Sequence, residues 1–590
     1  MRGLLLFGLT ACTSTDGKPV DPTEGERVAD DSAAATHADA DDGSPDDGHT
    51  DSGSLDSGEA VIPSPLTVTG TPVTCADPEA RGSLGPMSLY VSDGDWADQR
   101  GEQNLWSLYA GQGLAVSDFD SDGFLDVFLP NADADQLFMG SASGEWFDSS
   151  ETRLPPETDK AVGATPIDID DDGDIDIFVA VMNEPNRVLI NDGTGHFSRS
   201  SSPWLEGQTR LSQGSAWGDV DGDGDLDVFV SQYSNWSPEW LIEAPTAPTA
   251  APQDVFWINQ GDGNFENADE TLVGFDAASA FTFTAGFWDR DDDADLDLLV
   301  INDFRSEYDW TQPIQYFQND AGAFSDAGEA VGLQMPAQGM GLGAAEMNGD
   351  GLIDFAIQTN STLLMYSADG RPYFESSISS GIIRKPGQEV GWGAELADMN
   401  NDGLSDLAVA YGFLPPDEVS MEDLPNPIVT EYVDGVSVEQ PNSLYLQTAS
   451  GQYMDVATPW SLDDRGVSRG FVLADFNRDG FLDWMGRDMK GPTRLVLSNC
   501  DDRSWLTMKL SQPPPNRAAV GAKVTVSAGD QQWVRWVHVG STNVSSGGPT
   551  DLHFGFMDLE TVDAIEVRWP DGSIGRVEDV ETRQHLLISP

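Results

Sequence analysis

Asp118-Phe119-Asp120-Ser121-Asp122-Gly123-Phe124-Leu125-Asp126 places carboxylates at positions 1, 3, 5 and 9 of a short loop, with glycine at position 6. Alternate residues in a tight loop point inward together, and the glycine permits the bend, so the pattern reads as an all-oxygen cage for a hard divalent cation, calcium above magnesium. Six further stretches fit [DE]-x-[DN]-x-D-[GA]-x-x-D. The candidate ligands are Asp118, Asp120, Asp122 and Asp126; Asp168, Asp170, Asp172 and Asp176; Asp219, Asp221, Asp223 and Asp227; Asp289, Asp291, Asp293 and Asp297; Glu346, Asn348, Asp350 and Asp354; Asp398, Asn400, Asp402 and Asp406; and Asp475, Asn477, Asp479 and Asp483. An EF-hand needs a bidentate Glu at position 12. Here that position holds Leu129, Val179, Val230, Val300, Ile357, Val409 and Gly486, none of which binds metal. Short apolar runs such as Val127-Phe128-Leu129 follow the loops, which makes these strand-loop-strand sites.

Successive loops start 50, 51, 70, 57, 52 and 77 residues apart, a unit of about 50 residues with insertions. After most loops comes a strand, a Gly-rich turn and an aromatic, as in Leu189-Ile190-Asn191-Asp192-Gly193-Thr194-Gly195-His196-Phe197. Each unit thus offers four strands, and seven such units predict an all-β, seven-bladed β-propeller, which removes exposed sheet edges by radial repetition.

These units resemble FG-GAP (VCBS-type) repeats, with Gly111-Gln112-Gly113, Gly341-Leu342-Gly343 and Gly391-Trp392-Gly393 where that family places small residues before the loop. The resemblance implies up to seven Ca²⁺, each held by positions 1, 3, 5 and 9 plus the position 7 carbonyl. Two loops depart from the pattern. The fourth has Ala294 at the glycine position and the fifth begins Glu346-Met347-Asn348, so these two are expected to be the weakest sites.

Residues 1–11 read as a lipoprotein signal: Arg2, an apolar run, then Leu9-Thr10-Ala11-Cys12, which resembles the lipobox whose Cys12 is lipidated. Its shortness points to a start codon upstream. Residues 12–65, poor in aromatics and rich in Asp, Ser and Gly, predict a disordered acidic tether. Residues 66–503 are assigned to the propeller and 504–590 to a small β domain. The latter resembles the ASPIC/UnbV domain through Asn516-Arg517-Ala518, Leu552-His553-Phe554-Gly555-Phe556 and Val567-Arg568-Trp569-Pro570-Asp571-Gly572. FG-GAP propeller followed by ASPIC/UnbV is the organisation of the cartilage acidic protein family, and the resemblance implies a secreted, calcium-binding extracellular protein with no established reaction.

A net charge of −72, from 29 basic and 101 acidic residues, argues against nucleic-acid binding. Of the 28 loop ligand positions, 25 are Asp or Glu and three are Asn, so metal-free loops repel and calcium is expected to stabilise the fold. With Cys12 given to lipid, Cys75 and Cys500 flank the repeats, and the expectation is a disulfide clasping the ring, two buried free thiols being the alternative. Insertions after the outgoing strands carry Trp236, Trp240, Tyr308, Trp310 and Phe413, a candidate ligand face opposite the metals or, alternatively, a lid over the channel.

No Gly-x-Ser-x-Gly, His-Glu-x-x-His or phosphate loop is present, and Asp551 with His553 is the best catalytic pair available, a structural contact being the better reading of it. The expected function is therefore surface-anchored recognition or adhesion, binding an extracellular protein or glycan. The alternatives are an envelope scaffold without a ligand and, further off, a glycan-processing enzyme. Asn235, Asn360 and Asn543 head glycosylation-type tripeptides, which the bacterial-type signal discounts.

Overall fold

The computed structural model describes residues 63–73, 75, 88–90, 113–131, 134–157, 160–201, 204, 210–234, 254–261, 263–273, 281–303, 313–359, 363–366, 372–385, 388, 390–412, 439–463, 465–489, 492–498 and 500–590. Cys12, the tether up to residue 62 and the insertion aromatics Trp236, Trp240, Tyr308, Trp310 and Phe413 lie outside them. No helix among the described residues is long and apolar enough to cross a membrane.

Every calcium-type loop joins two antiparallel strands, from Ala115–Ser117 with Asp126–Leu129 through to Ser468–Ala474 with Asp483–Asp488. The strands entering and leaving the loops are almost wholly buried, because neighbouring sheets pack face to face on them. Between the first two units, Phe119, Phe128 and Leu137 pack on Ile177, Val179 and Leu189. The first unit completes four strands with Gln136–Met139 and Phe147–Asp148, and the sixth with Ser443–Gln447 and Tyr453–Asp455. The last unit borrows its fourth strand: Ser88–Tyr90, from before the first loop, pairs antiparallel with Arg494–Leu497. The architecture is that of a propeller, and this exchange joins the two ends of the repeat array.

Near the same seam Cys75 and Cys500 form a disulfide with Cα atoms 5.7 Å apart. It closes a segment of 425 residues. Cys75→Ser is expected to cost about 2–5 kcal/mol, a loss read as a lower denaturation midpoint without change in far-ultraviolet circular dichroism of the folded state.

The C-terminal domain has two sheets. One orders Thr67–Pro72, Gln584–Ser589, Trp505–Leu510 and Leu552–Gly555; the other contains Lys523–Ala528, Gln531–Trp536, Thr561–Arg568 and Ile574–Glu581, with Ser64–Pro65 at its edge. Here the boundary expected at residue 65 needs correction. Ser64–Pro72 belongs neither to the tether nor to the propeller but adds a strand to each C-terminal sheet, in parallel register with Ile574–Glu581 and antiparallel with Gln584–Ser589. Thr67-Val68-Thr69 is β-branched, and the exposed sheet edge supplies the partner that a composition-based reading cannot see.

Residues 539–548 of this domain enter the centre of the propeller and touch the innermost strand of all seven units. Gly547 exchanges backbone hydrogen bonds with Leu114 and Val116, 3.0 Å each, and the Ala164 amide donates to the Ser545 carbonyl at 3.0 Å. Val539–Gly540 pairs with Ala216 and Trp217. Thr284 Oγ1 donates to the Ser541 carbonyl at 3.1 Å, the Leu342 amide to that of Thr542 at 3.0 Å, and Asn543 Nδ2 to Glu395 Oε2 at 3.1 Å. A Cβ on Gly470, in the seventh unit, would stand 2.1 Å from Ser546 Oγ.

This plug gives the small residues before the loops their physical reason. A Cβ on Gly113 would lie 1.8 Å from the Ser545 carbonyl oxygen, and one on Gly393 1.9 Å from Asn543 Oδ1. Asn543, buried against Glu395, has no room for a glycan.

Candidate metal centres

All seven loops share one backbone path. Position 4 has φ between 55° and 84° and position 6 between 79° and 101°, so both are left-handed. Glycine meets this cheaply at position 6 in six loops; Ala294, at φ 80°, bears the strain expected of it. In six loops the position 1 carboxylate accepts a hydrogen bond from the position 6 amide at 2.7–3.0 Å. Position 5 accepts from the position 7 amide in all seven, at 2.9–3.0 Å. Glu346 is the exception at position 1: its longer side chain accepts from the amides of Asn348 and Gly349 instead.

The position 9 aspartates do more than close a cage. Each accepts from the position 2 amide across its own loop, at 2.8–3.3 Å. In six loops the other oxygen accepts from an amide on or next to the third strand of the sheet, at 2.7–2.9 Å. These carboxylates tie the loop to the sheet and stay available to a cation only through their remaining lone pairs. Burial pushes Asp126, Asp176 and Asp227 up to about 8 and Asp297 to about 7, and holds Asp406 and Asp483 well above the carboxylate range.

Metal-ligand geometry is present in four loops. Carboxylate oxygens of Asp118, Asp120 and Asp122, of Asp168, Asp170 and Asp176, of Asp219, Asp221 and Asp227, and of Asp289, Asp291 and Asp293 converge within 4.8 Å of one another. Asp120 Oδ1, Asp168 Oδ1 and Asp350 Oδ2 are buried with no hydrogen-bond partner. An orphaned buried acceptor is costly, and a hard cation at the convergence point would satisfy it, so the donor sets of the first and second loops fit calcium. In the sixth and seventh loops Asn400 and Asn477 donate Nδ2 to the position 5 carboxylates at 3.1 Å, and their Oδ1 accepts from the position 5 amide.

The C-terminal domain packs against several of the loops. Arg517 Nε donates to the Asp171 carbonyl at 3.0 Å in the second loop; His553 Nε2 lies 2.6 Å from Asn401 Oδ1 and the Met557 amide donates to the Asn401 carbonyl at 2.9 Å in the sixth. A Cβ on Gly480 would overlap the Trp505 ring in the seventh. A single buried cluster unites propeller residues Phe178, Trp217 and Val230 with domain residues Leu506, Phe554 and Ile565. His553 is thereby a buried interdomain contact, held near 3 by burial and by the Arg535 and His585 charges, while Asp551 on the same strand's approach is exposed. No sequence signal marked this docking, since the contacts come from backbone groups and from residues scattered through the domain.

A family model for the ASPIC and UnbV domain matches residues 512–590, and one for the FG-GAP-like repeat matches residues 118–179 and 168–230. Among curated proteins, cartilage acidic protein 1 of Xenopus tropicalis is 24% identical over 400 residues, 64% of this chain and 47% of that protein. The chain thus spans about half the length of that relative. Cartilage acidic protein 1 of Homo sapiens is 23% identical over 489 residues, 71% of each. Solved structures with a similar course include an Agrocybe aegerita lectin that recognises non-reducing terminal N-acetylglucosamine, at TM-score 0.38 and 14% identity over 66% of this chain and 94% of that one. Another is the extracellular domain of a hybrid two-component system from B. thetaiotaomicron, at TM-score 0.37 and 7% identity over 86% and 58%. The chain carries FG-GAP-like repeats and a C-terminal ASPIC and UnbV domain, the two modules of cartilage acidic protein 1, to which it is distantly similar.

Proposed function

We propose that this is a calcium-binding recognition protein, exported and held at the cell surface by lipid on Cys12, whose seven-bladed propeller binds an extracellular protein or glycan through the rim opposite its loops. The observation that carries the reading is that the C-terminal domain packs against several loops and fills the centre of the ring. This arrangement favours the far rim for partner binding. The strands Asp227–Ser234, Asp297–Asn302 and Asp406–Tyr411 run from their loops to that rim, and the three long insertions leave the scaffold where they end. Loops on a rigid scaffold are where binding residues concentrate, and the insertions supply Trp236, Trp240, Tyr308, Trp310 and Phe413 for stacking on sugars or anchoring a protein.

Calcium in this reading holds the scaffold and does no chemistry. The reading is of a binding function rather than an enzymatic one, and the engagement of His553 with Asn401 supports it. The test is a glycan array probed with the whole chain and with its Trp236→Ala/Trp240→Ala variant, in millimolar calcium. Retention of glycans by the wild type and its loss in the variant are expected. Equal retention by both would move the ligand to another surface.

A further inference from the structure

The fourth loop differs from the other six in what surrounds its carboxylates. Arg568, on the strand Thr561–Arg568 of the C-terminal domain, pairs through Nη2 with Asp289 Oδ2, the position 1 ligand. Its Nη1 reaches Asp292 Oδ1 at 2.9 Å and the Asp292 carbonyl at 3.2 Å. Lys523 Nζ joins Asp292 Oδ1 at 2.9 Å from the neighbouring strand. Position 3 is engaged too: Asp291 Oδ2 accepts from Gln318 Nε2 at 2.7 Å and pairs with Arg290 Nη2 at 3.3 Å. At position 9, Asp297 Oδ2 accepts from the Tyr316 hydroxyl at 2.5 Å, and Arg290 Nε donates to that hydroxyl at 3.0 Å.

We infer that the fourth loop is closed by arginine and not by calcium, and that it is the socket through which the propeller locks the C-terminal domain in place. Three side-chain cations of its own stand against its carboxylates: Arg568 and Lys523 from the domain and Arg290 from the loop. A dication placed among the same oxygens would sit beside these charges and compete for the same lone pairs. Among the described residues no other loop pairs its first carboxylate with an arginine or lysine. In the first, second and fifth loops an oxygen is instead left without a partner. The planar guanidinium, weakly hydrated and able to face two acceptors, suits such a half-buried socket; Arg568 bridges Asp289 and Asp292 in that manner. Ala294 then follows: a loop that holds no metal tolerates a strained sixth position, because its path is set by the arginine.

This inference rests on the calcium reading of the other loops, and the experiment separates the two. The whole chain, equilibrated with calcium and freed of unbound ion, is analysed for bound calcium as wild type, Asp168→Asn and Asp289→Asn. Asp168→Asn is expected to lose one ion and Asp289→Asn none. Limited proteolysis at the 498–504 connection is expected to be faster in Asp289→Asn and in Arg568→Gln than in wild type. Loss of one ion in Asp289→Asn overturns the inference. If Asp289→Asn loses several ions through misfolding, Arg568→Gln decides: one ion more than wild type upholds the inference and an unchanged count overturns it. A wild type without any bound calcium sinks the calcium reading alone; the socket is then judged by proteolysis of Arg568→Gln, upheld by faster cleavage and overturned by an unchanged rate.

Discussion

Metal-free protein is expected to unfold at a markedly lower temperature at pH 8 than at pH 5, whereas protein saturated with calcium keeps its midpoint. Without metal, burial raises the loop carboxyls: Asp126, Asp176, Asp227 and Asp475 to about 8, Asp168 and Asp297 to about 7, and Asp219, Asp398 and Asp479 to about 6. In the unfolded chain the same groups titrate near their ordinary value of about 3.9. Between pH 4 and pH 8 the folded metal-free state therefore holds more protons than the unfolded one. Stability then falls as pH rises through that window, the reverse of the usual salt-bridged aspartate.

Calcium removes the penalty by facing ionised carboxylates with a dication, and each filled site stabilises by about 2.7 kcal/mol at a hundredfold excess over its Kd. Several sites filled together make this the largest effect expected for the molecule. Scanning calorimetry at both pH values checks it, on protein stripped by chelator and then desalted, with and without added calcium. Equal midpoints for the stripped protein at the two pH values would contradict the burial of unpaired loop charge.

Val544→Asp is expected to cost on the order of 4 kcal/mol or more and to release the C-terminal domain from the ring. Val544 is fully buried in the core shared by both domains, at the tip of the segment that fills the propeller centre, with Ser545 and Ser546 bonded to the inner strands on either side. A carboxylate there would be buried among the apolar side chains of that core. Val544→Ala, which removes apolar contact without adding charge, should cost roughly 1.5–2.5 kcal/mol and leave the domains docked. Guanidinium denaturation gives both values, and protease cutting at the 498–504 connection reports docking. A Val544→Asp protein as stable and as resistant as wild type would mean that the segment is a passive filler.

What sequence reasoning could see was set by local pattern. Carboxylates spaced two apart, the position 6 glycine and the apolar runs after each loop are local, and the strands and loops were read from them. Cys75 and Cys500 were legible because a ring brings the ends of its array together. The plug was not, because Ser541-Thr542-Asn543-Val544-Ser545-Ser546-Gly547-Gly548 has the composition of a linker, and only the glycines it meets in five of the propeller units explain it. Ser64–Pro72 was hidden in the same way, as a short β-branched run whose partner strands lie more than 500 residues further on. Arg568 sits in the run that identified the domain, yet its partner Asp289 is 279 residues away. Such pairings depend on how two domains meet, which no local spacing records.

The position of the earliest strands also governs when the molecule can fold. Ser64–Pro65, Thr67–Pro72 and Ser88–Tyr90 pair with Ile574–Glu581, Gln584–Ser589 and Arg494–Leu497, which are synthesised several hundred residues after them. Contacts of such separation carry a large loop-closure cost and fold slowly. The seventh sheet waits for Arg494–Leu497, and the two C-terminal sheets wait for Ile574–Glu581 and Gln584–Ser589. The closing of the ring and of both C-terminal sheets thus comes late in synthesis, however early their first strands are made.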